Sequence, residues 1–148
     1  MENTLSIVSM AVSAIAVIVS LGTYFASVIR DRQQATLDAF NLLQNEVLDK
    51  LNLYTSTEIA QIAQDVHSEA YKKLSVLLAR CNHFAVGVNT KIYDKKIVRR
   101  LAGRYFIGIY DKLEALIEKK RSVNHTERHY YELEKLVCEL KSTYRANE

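Results

Sequence analysis

Hydrophobic residues form one uninterrupted run near the amino terminus and recur periodically after it. The run, residues 5–29, contains no charged side chain and no proline. At about 1.5 Å of rise per helical residue, it is longer than the roughly 30 Å hydrocarbon core of a bilayer. The pattern predicts one transmembrane helix, with residues 1–30 as the membrane anchor and residues 31–148 as the helical domain that it holds.

Beyond residue 30, apolar residues recur every three or four positions, which is typical of amphipathic helices. The predicted helices cover about 31–54, 56–86, 95–121 and 125–144. No turn signal separates the first of them from the membrane span, so we expect one nearly continuous helix there. Alternating β-branched runs, which would indicate strands, are missing. The sequence therefore predicts an all-α protein in which a single amino-terminal transmembrane helix continues into a cytoplasmic antiparallel bundle of about four helices.

Three of the predicted helix starts carry capping signals. Thr55 and Glu58 fit a capping box, in which each side chain bonds the backbone N–H of the other residue. Asp94 fits an N-cap, because its carboxylate can accept hydrogen bonds from the first N–H groups of a helix. Asn124 and Glu127 form a second candidate capping box, which would open the last helix at residue 125.

The chain has no proline and only four glycines, a composition that favours long helices. Gly87 suits the left-handed end of a helix, so residues 87–93 are predicted to form a turn. Gly103 and Gly108 lie inside a predicted helix, where glycine costs about 1 kcal/mol relative to alanine. They indicate either the close approach of another backbone or a tolerated kink.

A seam of small or weakly polar residues follows the predicted span at alternating spacings of three and four. Helices in lipid associate by close packing and side-chain hydrogen bonds, so small residues favour an interface. The seam predicts self-association or pairing with a partner span, and in an oligomer its hydroxyls would line a narrow pore. The alternative is an isolated span whose hydroxyls bond back to their own helix. The seam consists of Ser6, Ser9, Ser13, Ala16, Ser20, Thr23 and Ser27.

The charges beside the span predict its orientation. Glu2 is the only charged side chain before the run, whereas Arg30 and Arg32 follow it. The positive-inside rule places the amino terminus outside and the helical domain in the cytoplasm. A cleaved signal peptide is disfavoured, because the start is not basic and the run is too long.

Positive charge is concentrated in one segment of the helical domain. Residues 91–121 contain ten Lys or Arg and four Asp or Glu, whereas the flanking segments are slightly acidic. Such a face could meet anionic lipid headgroups or, less favoured, nucleic acid phosphates. The simplest alternative is a solvated helix face. The basic set comprises Lys95, Lys96, Arg99, Arg100, Arg104 and Lys112.

Two small groups of residues are candidate reactive sites. His125, His129 and Glu132 could share one helical face, as zinc ligands do, but they lack the glutamate of an HExxH motif. Solvated histidines are the favoured interpretation. Cys81 and His83 are two positions apart, so a helix would point them to different sides. The sequence predicts no catalytic residue, no metal site and no cofactor.

Within residues 77–117, an asparagine and a phenylalanine precede an aliphatic turn, an aspartate, a V-x-x-L-x-G motif and an aromatic-rich helix. The matching positions are Asn82, Phe84, Ala85, Val88, Asp94, Val98, Leu101, Gly103, Phe106, Ile107, Tyr110 and Leu113. In this pattern the chain resembles a family of small bacterial membrane-anchored proteins catalogued as a domain of unknown function, although His83 replaces the usual first aromatic residue. The resemblance implies a helical fold and a bacterial inner membrane. By analogy alone, it suggests a phage-defence or mobile-element setting.

These patterns predict a non-enzymatic, membrane-tethered helical protein that acts by oligomerisation or partner binding. The first alternative is a membrane-permeabilising effector whose transmembrane helices form an oligomeric pore. The second is a membrane-bound nucleic-acid sensor. The expected partners are membrane lipid and either further copies of the chain or a partner membrane protein.

Overall fold

The computed structural model describes the backbone of residues 2–146 and the side chains of residues 10–146. Within that part of the chain, every regular element is a helix, which confirms the all-α prediction. The elements are α1 (Glu2–Leu43), a π-helical turn (Gln44–Leu48), α2 (Asp49–Asn52), α3 (Ser56–Ile62), α4 (Glu69–Asn89), α5 (Lys95–Asn124) and α6 (Tyr131–Arg145).

The first three elements form one continuous helix, which we call the stalk helix. The backbone stays right-handed helical at both junctions, Leu43 and Leu48, so the expected continuity is confirmed. By length and composition, the stalk helix can cross a membrane, and none of its most apolar window is buried against the rest of the described chain. Side chains 10–30 are all exposed. The bundle therefore packs only on the later part of the stalk helix.

Aromatic rings join the stalk helix to α4 and α5. The centroids of Phe84 and Phe106 are 5.5 Å apart, and Phe40 lies 6.3 Å from the first and 6.5 Å from the second. These separations are within the range in which aromatic pairs attract each other. Phe40 is followed along the stalk helix by four further core residues at helical spacing. They are Leu43, Val47, Leu48 and Leu51.

Helices α4 and α5 form an antiparallel pair that is held at both ends. Phe84, near the end of α4, stacks on Phe106, and the Lys120 ammonium lies 4.7 Å from the ring centroid of Tyr71 near the start of α4. Helix α5 runs in the same direction as the stalk helix. The core lies between these helices and α6.

The predicted helix over 56–86 is wrong in its continuity, because residues 63–68 separate α3 from α4. Polar side chains stabilise the break: Asp65 Oδ1 accepts from the N–H of His67 at 3.1 Å, and Ser68 Oγ accepts from the N–H of Tyr71 at 3.1 Å. Short polar side chains offer the backbone such alternatives to a helix. The capping box at the start of α3 is confirmed, with Thr55 Oγ1 and the Glu58 carboxylate each bonded to the other residue's N–H.

The turn between α4 and α5 differs from its prediction at Gly87. Helix α4 continues to Asn89, and the left-handed residue is Lys91, with φ of 65°. Gly87 is buried inside the helix, where an added Cβ would lie 2.4 Å from the ring of Tyr93. Asp94 caps α5 as predicted, accepting from the N–H groups at positions 96 and 97 at 2.8 and 3.4 Å.

The second predicted capping box is wrong, since Asn124 is the last residue of α5 and α6 begins only at Tyr131. One N–H group in the first turn of α6 is instead satisfied from another helix. Asn82 Oδ1, on α4, accepts from the N–H of Leu133 at 3.0 Å. A cap supplied by tertiary contact has no local sequence signal, which explains the error.

The two interior glycines of α5 differ in their surroundings. Gly103 follows a kink at Ala102, and its missing Cβ leaves room for Tyr144, whose hydroxyl would lie 2.4 Å from that atom. The Tyr144 hydroxyl donates to the carbonyl of Arg99 at 2.9 Å. The close approach expected at Gly103 is therefore made by a side chain. The close approach expected at Gly108 is wrong as a prediction, because an added Cβ there would meet nothing within 4 Å.

We predict opposite effects for alanine at two helical glycines. Gly87→Ala should lower the free energy of unfolding by about 1–3 kcal/mol, because the new methyl group overlaps the Tyr93 ring. Gly108→Ala should raise it by up to about 1 kcal/mol, since alanine is the better helix former and its site is open. Denaturant unfolding of the full chain in detergent, followed by circular dichroism, measures both. Equal effects at the two positions would contradict the packing described for Gly87.

Candidate functional site

The bundle is attached to the stalk helix at the turn between α4 and α5. Arg32 Nη2 donates to the carbonyl of Tyr93 at 3.0 Å. The fully buried Thr36 accepts the N–H of Asp94 at its Oγ1, at 2.7 Å, and donates its hydroxyl proton to the Arg32 carbonyl, also at 2.7 Å. We call the Arg32–Tyr93 and Thr36–Asp94 contacts the latch. The latch fixes the start of α5 beside the stalk helix.

The predicted basic set divides into two groups. Three of its members are engaged by the bundle: Lys95 forms an ion pair with Glu139 on α6, Lys112 Nζ donates to a stalk-helix carbonyl at 2.9 Å, and the Arg104 guanidinium lies 5.6 Å from the centroid of a tyrosine ring. The other three form no ion pair with any residue that the structure describes. They are Lys96, Arg99 and Arg100.

Opposing influences act on the charge of Lys95. Burial lowers the pKa of its ammonium group, and the nearby Lys135 acts in the same direction. The Glu139 carboxylate in contact with it favours the charged form. Lys95 therefore contributes to the contact between α5 and α6. The positive charges on this part of α5 that form no ion pair with a described residue are those of Lys96, Arg99 and Arg100.

The predicted seam is exposed along the described part of α1. Its hydroxyls donate to carbonyls of their own helix: Ser20 to Ala16 at 2.8 Å, Thr23 to Ser20 at 2.9 Å and Ser27 to Tyr24 at 2.8 Å. The hydroxyl donors are thus satisfied within the helix. Because the side chains of the seam are small, they project little from this face of the helix. Ser13 also lies on this exposed face. The side chains of Ser6 and Ser9 lie outside the described residues.

The histidines considered for a metal site are separated by the fold. His125 is the left-handed residue that ends α5, and His129 lies in the connection to α6. Glu132 is on α6, where its carboxylate accepts from Asn89 Nδ2 at 2.7 Å. The shared helical face on which the metal hypothesis depended is therefore not formed. Among the described residues, no group of three or more metal-ligating side chains comes together.

The two cysteines differ sharply in their surroundings. Cys81 is fully buried, and its neighbour at two positions, His83, is exposed, so the two side chains lie on different sides of α4 as predicted. Burial raises the pKa of the Cys81 thiol to about 12. A buried, protonated thiol is a poor nucleophile. Cys138 is exposed on α6, and both thiols are free.

Sequence reasoning missed the polar residues that connect the helices. Thr36 lies four residues before Phe40 and seven before Leu43, on the face that becomes the core. A threonine on a buried face needs a hydrogen-bond partner for its hydroxyl. The spacing of Thr36 to Phe40 and Leu43 in the sequence was therefore enough to indicate such a contact. Asn82 and Asn89 carried no comparable signal, because their partners on α6 are distant in sequence.

The chain matches a known protein family. Residues 10–140 match the family model DUF4760, whose description is "Domain of unknown function". The match covers the apolar helix as well as the bundle and confirms the resemblance to a domain of unknown function. No curated protein and no solved structure matches the chain.

We predict that the latch depends on the Thr36 hydroxyl. Thr36→Val keeps the shape but leaves the partly buried N–H of Asp94 without its partner, so the free energy of unfolding should fall by about 1–3 kcal/mol. Hydrogen exchange at the Asp94 amide should accelerate in the same variant. Thr57→Val, at an exposed position of α3, is the matched control and should change stability by less than about 0.5 kcal/mol. Slow exchange at Asp94 in Thr36→Val would refute the latch.

We also predict selective alkylation of the two thiols. At neutral pH, maleimide should modify Cys138 rapidly in the folded full chain, because that thiol is exposed. Cys81 should react only after denaturation, since its raised pKa and its burial both suppress attack. Mass spectrometry of the intact protein counts the adducts, and Cys138→Ser assigns them, since this variant should be almost unreactive when folded. Rapid modification of Cys81 in that variant would contradict the buried environment.

Proposed function

We propose that this chain, which belongs to the DUF4760 family, a domain of unknown function, is a non-enzymatic membrane-tethered protein that acts by oligomerisation or by binding a partner span. The apolar part of the stalk helix would cross a bacterial inner membrane, with the amino terminus outside and the bundle in the cytoplasm. Arg30 and Arg32, directly after the apolar run, support this orientation.

The observation that carries the proposal is the position of the seam relative to the bundle. An α-helix turns by about 100° per residue, so Thr36, Phe40 and Leu43 lie about 160°, 200° and 140° around the helix axis from Ser20. These three residues are buried against the bundle. The seam and the bundle therefore lie on opposite sides of the stalk helix.

In this arrangement another helix can approach the exposed seam without meeting the bundle. Two stalk helices packed along their seams would have axes about 8–10 Å apart, which is closer than two helical bundles could approach each other. Because each bundle lies on the far side of its own stalk helix, the bundles would not collide. On the seam side, the stalk helix continues beyond the apolar run with exposed polar residues. Among them are Gln34, Asp38 and Asn41.

The hydroxyl geometry indicates how such helices would associate. The hydroxyl protons of Ser20, Thr23 and Ser27 are already donated within the helix, so they would not be the main source of interhelical hydrogen bonds. Close packing of small side chains supplies the attraction instead. An unbroken helix would then transmit any change in pairing directly to the bundle, since no loop lies between them.

The proposed association through the seam is tested by placing larger side chains on that face of the span. Ser13→Leu combined with Ser20→Leu should weaken association of the full chain by about tenfold, because the larger side chains hold the helices apart. Analytical ultracentrifugation in detergent, at several detergent-to-protein ratios, measures the monomer–oligomer equilibrium.

Ala11→Leu combined with Gly22→Leu is the matched control, since it adds similar bulk about half a turn away and an added Cβ at Gly22 meets nothing within 4 Å. It should associate like the unmodified chain. A strictly monomeric unmodified chain would refute homo-oligomerisation, and equal effects of the two double variants would refute the seam. Ion leak from liposomes containing the protein would instead favour the pore.

A further inference from the structure

The latch places one end of the bundle close to the predicted membrane surface. Arg32 and Thr36 follow Ile29, the last residue of the apolar run, by three and seven positions. At 1.5 Å per residue, these positions lie about 4.5 and 10 Å beyond the run. The polar layer on each side of the hydrocarbon core is about 5–8 Å thick. If the anchor spans as proposed above, Arg32 and its partner in the turn, Tyr93, lie at the height of the lipid headgroups, and Thr36 lies just outside them.

This end of the bundle carries unneutralised positive charge. Lys91, Lys96 and Arg100 are exposed and Arg99 is half-buried. Within the described part of the chain, none of these four side chains forms an ion pair. Arg30 and Arg32 add two cations on the stalk helix. The acidic residues of the same region are Asp31 and Asp38, which are exposed, Asp94, which caps α5, and Glu132, which accepts from Asn89 at the end of α4. The Lys95–Glu139 ion pair adds no net charge. Outside that pair, cations still outnumber carboxylates near the latch.

An apolar side chain lies among these cations. Ile92, at the tip of the turn, is 63 % exposed. It directly follows Lys91, whose left-handed backbone makes the turn tight. An exposed apolar residue next to basic residues is the combination that favours the boundary between lipid headgroups and acyl chains. If Ile92 stayed in water, its exposed apolar surface would contribute no favourable free energy of burial.

We propose that Lys91, Lys96, Arg99 and Arg100 bind the headgroups of anionic phospholipids in the bilayer that the stalk helix crosses. This contact, which rests on the proposed membrane anchor, would hold the bundle against the membrane surface with Ile92 inserted. Nucleic acid is the less suitable ligand for the same cations. At headgroup height, its phosphates would have to approach a negatively charged leaflet to reach them.

The experiment uses the full chain in lipid nanodiscs. A variant combining Ile92→Cys and Cys138→Ser carries an environment-sensitive fluorophore at position 92, while the buried Cys81 stays unlabelled. Phosphatidylcholine discs are compared with discs containing increasing phosphatidylglycerol. The fluorophore emission should shift to the blue as phosphatidylglycerol is added, and high salt should reduce the shift.

Each cation near an anionic surface contributes about a fivefold preference for it. Adding Lys91→Gln, Lys96→Gln, Arg99→Gln and Arg100→Gln should therefore abolish the shift. Neutralising Lys50, Lys72, Lys73 and Arg128 by glutamine removes the same charge from residues that make no contact with the latch and should leave the shift unchanged. All four of these control side chains are exposed.

Three results would overturn the proposal. The first is a shift that is independent of phosphatidylglycerol, and the second is equal loss in the two charge variants. The third is salt-sensitive binding of a labelled oligonucleotide to the phosphatidylcholine discs, lost only in the first charge variant, which would assign the cations to nucleic acid. Adding Ser13→Leu and Ser20→Leu should weaken association without changing the lipid response, so the two proposals fail separately. Failure of the chain to co-elute with the discs would refute the anchor on which both rest.

Discussion

One buried hydroxyl group connects the bundle to the stalk helix. Thr36 Oγ1 satisfies the N–H of Asp94 and the carbonyl of Arg32 at once, both at 2.7 Å, at a site from which water is excluded. A buried N–H without a partner costs about 1–3 kcal/mol, so the hydroxyl selects one register between α5 and the stalk helix. One helical turn further on, the same register brings Phe40 against the aromatic rings of α4 and α5.

Features set by neighbouring residues could be predicted from the sequence. The stalk helix, the capping box at Thr55 and the cap at Asp94 all depend on local spacing, and the structure has each of them. Features set by distant residues could not. Helix α6 begins where Asn82 of α4 can cap it, and Gly87 is small because the Tyr93 ring occupies the space beside it. No local sequence pattern predicts either contact.

The candidate sites show the same division. The seam could be identified from spacing alone, because a single exposed helix preserves its periodicity. The basic set could be identified only as a composition. Lys95 and Lys112 are engaged by contacts with α6 and with the stalk helix, so their charges are not available on the surface. The latch determines at which end of the bundle the remaining cations lie. Lys91, outside the predicted set, joins them because the turn brings it there.

If the apolar run spans a bilayer as proposed, the unbroken stalk helix would also make the protein sensitive to bilayer thickness. An apolar run of 25 residues extends about 37 Å, several ångströms more than a typical hydrocarbon core. Such hydrophobic mismatch is relieved mainly by tilting. Because the helix continues into the bundle without a loop, a change in its tilt would tilt the bundle by the same angle. A thicker bilayer would straighten the helix and lift the bundle, so the local lipid environment would set the angle at which this protein stands.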